Sequence, residues 1–237
     1  MMPMNLLAEK QEEVLQVINR FGVITTTQLS AFLKGNISHV TVYQTKRKLL
    51  SLGFLTEEKI GYQLILAMRP SGVEYLGSSL TRFTKFNYST LNHQLVMIDC
   101  ILALKNIAEK TGQPFEFITE RELRSEYIEQ NFTKADRRNT TLLKRIADRI
   151  PDFVLLENGE RIACEVELTR KSSKRYIEKM NRYRNEILNG QYNQVRYLCE
   201  NECIRDTVIS YAQQTGIVSD MLQLELIRRL LHFAEKQ

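Results

Sequence analysis

Residues Pro151 to Lys171 read PDFVLLENGERIACEVELTRK, and this stretch organises the second half of the chain. Two short apolar runs, Phe153 to Leu156 and Arg161 to Leu168, flank the dipeptide Asn158-Gly159. Asn-Gly between two apolar runs is the strongest short-range signal for a tight hairpin turn, because both of its residues tolerate positive φ. The sequence therefore predicts two antiparallel strands joined at this dipeptide.

Three carboxylates gather at one end of the predicted hairpin. Asp152 begins the first strand, and Glu165 and Glu167 share one face of the second, since side chains alternate faces along a strand. Crowded carboxylates repel one another, and burying one unpaired is costly, so the arrangement calls for a neutralising cation. The expected cofactor is a hard divalent ion, Mg²⁺ or Mn²⁺, bound by all three acids. The alternative is a hairpin with solvated acids on its outer face.

The same stretch resembles the PD-(D/E)xK nuclease motif. Pro151-Asp152 matches the opening pair, and Glu165 matches the second acid thirteen positions later. Glu167 stands where Lys is usual, although some restriction endonucleases use Glu-x-Glu. The resemblance implies metal-assisted hydrolysis of a phosphodiester, in which a bound Mg²⁺ activates a water and offsets charge on the leaving oxygen. Glu167 would then accept the proton.

Composition is that of an ordinary globular protein with a basic balance. The chain has 237 residues, 43% hydrophobic and 26% charged, which predicts one large or two small domains. It has no apolar run of membrane-spanning length and no basic-then-apolar leader, so we expect a cytoplasmic protein without membrane insertion. The net charge of +5 is compatible with a polyanionic partner. Its four cysteines lack a Cys-x-x-Cys pair and are interpreted as reduced core residues.

The first 80 residues resemble a winged-helix DNA-binding domain. Caps and apolar spacing predict three short helices and two strands, at Leu6 to Phe21, Gln28 to Leu33, a helix capped by Ser38, Phe54 to Glu57 and Tyr62 to Met68. Such a domain commonly lays its third helix in the DNA major groove. The candidate DNA-binding residues on that helix are Thr41, Tyr43, Gln44, Lys46, Arg47 and Lys48. Gln44 and Arg47 are suited to base edges, and Lys46 and Lys48 to phosphates. The alternative is a solvated helix in a domain used for protein contacts.

Two basic segments have open interpretations. Between Gly77 and Asn92, where we place the domain junction, Arg82 and Lys85 lie among aromatic residues. This mixture suits either stacking on a single strand or simple packing of a linker. Residues Asn131 to Arg149 are strongly basic and predict a flexible loop, either solvated or gripping phosphate.

Residues 90–237 predict an α/β domain with a mixed sheet, in the element order of the restriction-endonuclease-like core. The predicted elements are a helix from Leu91 to Thr111, a strand from Phe115 to Thr119, the hairpin, a helix from Ser172 to Asn189, a strand from Gln194 to Cys199, a helix from Glu202 to Gln213 and a C-terminal helix through Leu222 to Ala234.

Nearly the whole chain, from about Leu6 to Tyr211, resembles the replication-relaxation family, which includes the MobC-type relaxases of mobilisable plasmids. Besides the winged helix, the resemblance is carried by His93-Gln94-Leu95, Thr119 to Arg124, Ile150-Pro151-Asp152, Cys164 to Glu167 and Tyr176 to Tyr183. It implies a metal-dependent endonuclease that nicks plasmid DNA at an origin of transfer, or alters DNA topology at an origin of replication.

The resemblance also implies roles and partners. Glu120 would be the acid of the preceding helix, Asp152 and Glu165 the metal pair, and Glu167 the replacement for Lys, with Lys171 or Lys174 supplying the positive charge. The implied partners are double-stranded and locally single-stranded plasmid DNA, accessory or coupling proteins of DNA transfer, and a second copy in a homodimer. A tyrosine nucleophile stays open. The competing class is a non-catalytic, sequence-specific DNA-binding regulator of plasmid replication or transfer.

Overall fold

A computed structural model of the chain describes residues 6–80 and 88–236. Over these residues the fold is mixed α/β, with ten α-helices, a three-stranded antiparallel sheet and a five-stranded mixed sheet. Two compact units divide between Ile98 and Asp99. Within the described ranges, no helix combines the length and apolar character needed to cross a membrane.

The first unit is built from short elements around a small sheet. In chain order they are α1 (Glu9–Phe21), β1 (Val23–Thr25), α2 (Thr26–Phe32), α3 (His39–Ser51), β2 (Leu55–Ile60), β3 (Gln63–Met68) and α4 (Pro70–Tyr75). β3 pairs antiparallel with β1 on one side and β2 on the other. The side chains of Thr25 and Ser38 accept hydrogen bonds from Gln28 N and Thr41 N, so N-caps set where α2 and α3 begin.

The next helix, α5 (Tyr88–Thr111), contains the division between the units. Leu91 near its start packs with Val23, Ile65 and Ala67 of the first unit, and Leu95 O accepts a 2.9 Å hydrogen bond from Gln28 Nε2. The division therefore lies beyond the junction expected between Gly77 and Asn92. Of that predicted junction, residues 81–87, including Arg82 and Lys85, lie outside the described residues.

The second unit is a mixed sheet with helices packed against it. Its elements after α5 are β4 (Glu116–Thr119), α6 (Glu120–Asn131), α7 (Thr140–Arg145), β5 (Phe153–Glu157), β6 (Glu160–Glu167), α8 (Ser173–Leu188), β7 (Gln194–Cys199), α9 (Glu202–Gln214), β8 (Leu222–Leu226) and α10 (Ile227–Lys236). The strands lie in chain order across the sheet, antiparallel from β4 to β6 and parallel from β6 to β8. The predicted mixed sheet is confirmed.

The predicted hairpin of β5 and β6 is also confirmed. Asn158 and Gly159 have φ of 52° and 80°, the two positive values that a type I′ turn requires. Glu157 pairs with Glu160 next to the turn. The first strand begins at Phe153, so Asp152 precedes the strand that it was expected to open.

Helices α8 and α9 contribute to one hydrophobic cluster with the sheet. Their buried side chains, Tyr176, Met180, Tyr183, Ile204, Val208 and Ala212, pack in that cluster with Val154, Ala163, Val195 and Tyr197 of the strands. Burying a large apolar side chain contributes about 1.5–3 kcal/mol. The apolar stripe of α8 therefore holds this helix against the sheet face on which Ala163 lies.

Two sequence predictions in this unit are wrong. The segment Asn131 to Arg149 is not a loop throughout, because Asn139 caps the short helix α7 and two 3₁₀ turns flank it. The C-terminal helix begins at Ile227, and Leu222–Leu226 forms a strand beside β7. Alternation of leucine with polar residues suits a strand that has a neighbour to pair with, and only the folded sheet supplies β7.

Candidate active site

Strand register brings three of the predicted acids to one edge of the mixed sheet. Each acid lies one residue beyond a row of paired positions on neighbouring strands, formed by Thr119, Phe153 and Cys164. Strand β5 runs opposite to β4 and β6. The residue after Thr119, the residue before Phe153 and the residue after Cys164 therefore lie on the same side of this row. These residues are Glu120, Asp152 and Glu165.

Asp152 is attached to β6 although it precedes β5. Its Oδ2 accepts a 2.7 Å hydrogen bond from Val166 N, and its own N donates to Cys164 O at 3.1 Å. A carboxylate that accepts from a backbone N–H is held in one orientation. Asp152 thus lies half-buried, with its carboxylate hydrogen-bonded to β6, the strand that carries Glu165 and Glu167.

Glu165 is buried, with 3% of its surface exposed, and α8 supplies its partners. Lys179 Nζ donates to Glu165 Oε2 at 2.6 Å, the Tyr183 hydroxyl donates to Oε1, and Arg182 Nη2 lies 3.7 Å from Oε1. The interpretation of these acids as a solvated outer face is therefore wrong. Helix α8 covers the face of β6 on which they lie.

The protonation of the two groups that donate to Glu165 follows from their surroundings. Burial acts to lower the pKa of Lys179, but the negative charges of Glu165 and Asp152 outweigh it and raise that pKa, so the ammonium stays charged. Burial raises the pKa of Tyr183 well above its usual value, which keeps its hydroxyl a neutral donor. Since Tyr183 is fully buried, it is also unsuited to attack a phosphodiester.

Glu167 is equally buried but less completely paired. Lys171 Nζ forms an ion pair with Glu167 Oε1 at 3.2 Å, yet no donor among the described residues makes a hydrogen bond to this oxygen. Burial raises the pKa of Glu167 against the opposing charges of Lys171 and Lys179. Of the two lysines predicted to assist the site, Lys171 reaches an acid of the site, whereas Lys174 lies 3.9 Å from Glu178 on the exposed side of α8.

The charge of the acids is offset largely by the protein itself. Lys171, Lys179 and Arg182 stand against the carboxylates, so their crowding does not by itself demand a metal ion. In the part of the chain that the structure describes, no group of three or more His, Cys, Asp and Glu side chains is arranged to hold one. Mg²⁺ often takes only one or two protein carboxylates and completes its shell with waters and substrate phosphates. Carboxylate oxygens are ligands of the type that such an ion takes, and Glu167 Oε1 is among the buried oxygens of the described residues that lack a hydrogen bond.

Sequence reasoning missed the three residues of α8 that contact Glu165. Tyr176, Met180 and Tyr183 form the buried apolar stripe of α8, and Lys179 and Arg182 each come one residue before a member of it. At 100° per residue such positions lie on the flank of the stripe, where a long basic side chain can reach an acid beneath the helix. That spacing is a signal in the sequence from which Lys179 and Arg182 could have been found.

The six predicted DNA-binding residues of α3 divide by exposure. Gln44 and Arg47 are exposed, and Tyr43 has 44% of its surface exposed. Thr41 is half-buried, and its hydroxyl lies 2.8 Å from that of Ser38. These four residues lie on or beside the open face of the helix.

The two predicted phosphate contacts on α3 have partners within the unit. Lys46 is 2% exposed, its Nζ pairs with Glu57 of β2, and it lies 4.6 Å from the centre of the Tyr43 ring. Lys48 is half-buried and donates to Gln11 Oε1 at 2.8 Å. The prediction that Lys46 meets phosphate is therefore wrong, because its ammonium is buried in an ion pair.

No protein-family model matches this sequence, and no curated protein matches it. The family resemblance drawn from its motifs accordingly stays a prediction. What the fold itself establishes is an α/β protein with a buried acid and lysine centre at the edge of a mixed sheet.

Replacing Glu167 with Gln should raise the free energy of unfolding at pH 7. A carboxyl whose pKa is raised by folding costs stability when it is ionised, and this cost vanishes as the pH falls below the unfolded value of 4.5. In urea unfolding, the variant should therefore have a higher free energy of unfolding than the wild type at pH 7, and this difference should disappear at pH 4. Glu178→Gln, on the exposed side of α8, is the control and should give no such gain; equal behaviour of the two variants would contradict the role of burial.

Lys46→Ala should destabilise the first unit by roughly 2–3 kcal/mol. The substitution leaves Glu57 without its ion-pair partner and removes the buried methylene groups of the lysine side chain. The expected loss is below the 3–5 kcal/mol typical of a fully buried pair because Glu57 is 26% exposed. Arg47→Ala, one residue along on the open face, should change stability by less than about 0.5 kcal/mol. Urea unfolding of the whole chain measures both, and a Lys46 variant as stable as the Arg47 variant would refute the structural role of this lysine.

Proposed function

We propose that this chain is a relaxase-like, metal-dependent DNA endonuclease that nicks plasmid DNA at an origin of transfer or replication. In this proposal the first unit is a winged-helix domain and the second a restriction-endonuclease-like core. The observation that carries it is the alignment in strand register of Glu120, Asp152 and Glu165 at one edge of the mixed sheet, with Lys179 donating to Glu165. Carboxylates beside a lysine are the groups that phosphodiester hydrolysis uses.

The first unit supports a DNA-binding role through its order of elements. Three helices with an intervening strand precede the hairpin of β2 and β3, which is the arrangement expected of a winged helix. On α3 we assign base contacts to Gln44 and Arg47, since both are exposed and of the types that read base edges. Tyr43 beside them is the nearest aromatic contact, and Lys46 serves only to hold α3 against β2.

Each residue of the acid centre has a distinct task in this proposal. Asp152, oriented by Val166 N, and Glu165 provide oxygen ligands, and Glu167 accepts a proton. Its raised pKa brings Glu167 closer to the working pH, where a general base is most effective. Lys179 and Lys171 place positive charge where negative charge develops on the phosphate. A divalent ion, when bound, would add Lewis-acid stabilisation and a water of lowered pKa.

Asp152→Asn should abolish nicking of a supercoiled plasmid carrying the cognate origin. Asparagine keeps an oxygen for Val166 N but loses the negative charge, so we expect a loss of at least about a hundredfold with little change in DNA binding. The assay is conversion of supercoiled to open-circular plasmid in Mg²⁺ or Mn²⁺. Asp220→Ala, an exposed aspartate of the same unit, is the control. Undiminished nicking by the Asp152 variant would remove the active site from this edge.

The second candidate is a non-catalytic, sequence-specific DNA-binding regulator of plasmid replication or transfer. The observation that favours it is the pairing of both Glu165 oxygens, one by Lys179 and the other by Tyr183 and Arg182. In this candidate the acids and their cations are a closed structural network that fixes α8 on the sheet. A wild-type protein that binds its origin but never nicks it with either metal ion would favour this candidate.

Lys179→Met separates the two candidates by metal binding alone. If Glu165 serves as a ligand, Lys179 competes with the ion for its oxygen, and removing one unit charge a few ångströms away should tighten Mn²⁺ binding by about tenfold or more. The free Mn²⁺ signal in electron paramagnetic resonance measures this without DNA or turnover. Lys174→Met is the control because its ammonium lies beside Glu178. Equal Mn²⁺ affinity of the two folded variants would support the regulator.

A further inference from the structure

The second unit has a basic groove between α8 and the segment that ends at Arg149. The groove has a volume of about 600 Å³. Its basic lining residues outnumber its acidic ones, Asp148 and Glu178, and they are Arg149, Lys174, Arg175, Lys179 and Arg182. The 3₁₀ turn Ile146–Asp148 forms its far wall, which is tied to α8 by Arg182 Nη1 donating to Asp148 O at 2.7 Å.

The outer cations of this groove are held only by weak partners. Arg175 pairs with Asp148 at 3.0 Å and Lys174 with Glu178 at 3.9 Å, and more than half of each side chain is exposed. Exposed pairs of this kind contribute about 0–1 kcal/mol. An incoming anion can therefore replace either carboxylate at little cost.

The spacing of the cations suits a chain of phosphates. Lys174 and Arg182 are eight residues apart on α8, which is about 12 Å along the helix at 1.5 Å per residue. A row of this length is longer than one phosphate group, so it suits successive phosphates of a nucleic-acid strand. Ser172, the N-cap of α8, makes no side-chain cap hydrogen bond, so it does not occupy the first amides of the helix in this groove.

The inner end of the groove reaches the acid centre. Lys179 lines the groove and also donates to Glu165, and Arg182 lies 3.7 Å from the same carboxylate. A phosphate chain that followed the outer cations inward would meet the two cations that neutralise Glu165. The groove thus joins a solvent-exposed basic surface of α8 to the proposed reaction centre.

We propose that this groove binds the phosphodiester backbone of a nucleic-acid strand, with Arg149, Lys174 and Arg175 exchanging solvent and carboxylate partners for phosphates. The choice of a nucleic acid over an acidic peptide rests on the proposed function, because the groove leads to the acids that would cut such a backbone. Binding itself requires neither metal nor cleavage. A phosphate that reaches Lys179 or Arg182 then competes with the Glu165 carboxylate for that cation.

The test is the salt dependence of binding by the full chain. Fluorescence anisotropy of a labelled oligothymidylate is measured in EDTA over a series of salt concentrations. Lys174→Ala/Arg175→Ala removes two adjacent exposed cations from the groove, and the slope of log affinity against log salt should fall by about 1.4, at about 0.7 per phosphate contact on a single strand. The matched control is Arg228→Ala/Arg229→Ala, two adjacent exposed cations of α10, one of them also in a surface ion pair.

Three outcomes decide the matter. A slope that falls for the groove variant and not for the control supports the site. Equal slopes for the two variants overturn it. The proposal is also overturned if an oligoglutamate of equal charge displaces the labelled oligonucleotide as readily as unlabelled oligothymidylate does, because the groove would then bind an acidic protein. Since EDTA prevents metal-dependent cleavage, a protein that binds in this way but never nicks DNA would refute the nuclease proposal and leave this one standing.

Discussion

Burial of the Glu165 carboxylate is the constraint on which the second unit depends. Taking an ion of this size out of water costs several kcal/mol even after relaxation, so it requires partners of good geometry. Lys179 and Tyr183 supply them through hydrogen bonds, Arg182 adds its charge 3.7 Å away, and all three residues lie on α8. The apolar stripe of the same helix packs in the hydrophobic cluster of the sheet. Hydrophobic burial and charge pairing therefore fix one helix in one register above one strand.

That arrangement also gives α8 two different faces. Its inner flank neutralises the acids and leaves Glu167 with a raised pKa and an oxygen without a hydrogen bond among the described residues. Its outer flank carries Lys174 and Arg175 in exposed pairs that contribute little. Basic residues of the same helix thus differ in what their ion pairs do. A buried pair cannot lose its partner without a large cost in stability, whereas an exposed pair can exchange its partner at little cost. The helix is a physical link between an exposed basic surface and the buried acid centre.

The first unit follows the same rule on α3. Lys46 and Arg47 are neighbours of like charge, but the lysine lies beneath the helix against Glu57 while the arginine faces solvent. A basic residue on such a helix is therefore available to an external anion only where the fold leaves its charge at the surface. Exposure separates the base-reading candidates Gln44 and Arg47 from a lysine whose contribution is to stability.

Features that depend on a few neighbouring residues could be predicted from the amino-acid sequence alone. Asn158 and Gly159 determined the hairpin because both adopt positive φ, Thr25 and Ser38 determined helix starts through their caps, and strand alternation put Glu165 and Glu167 on one face. Only the tertiary structure decided whether that face met water or a helix, which lysine reached Glu165, and whether Leu222–Leu226 was strand or helix. The physical reason is distance along the chain. Lys179 lies fourteen residues from Glu165, and β8 needs β7 as a partner, so these contacts depend on packing between elements that local propensity does not describe.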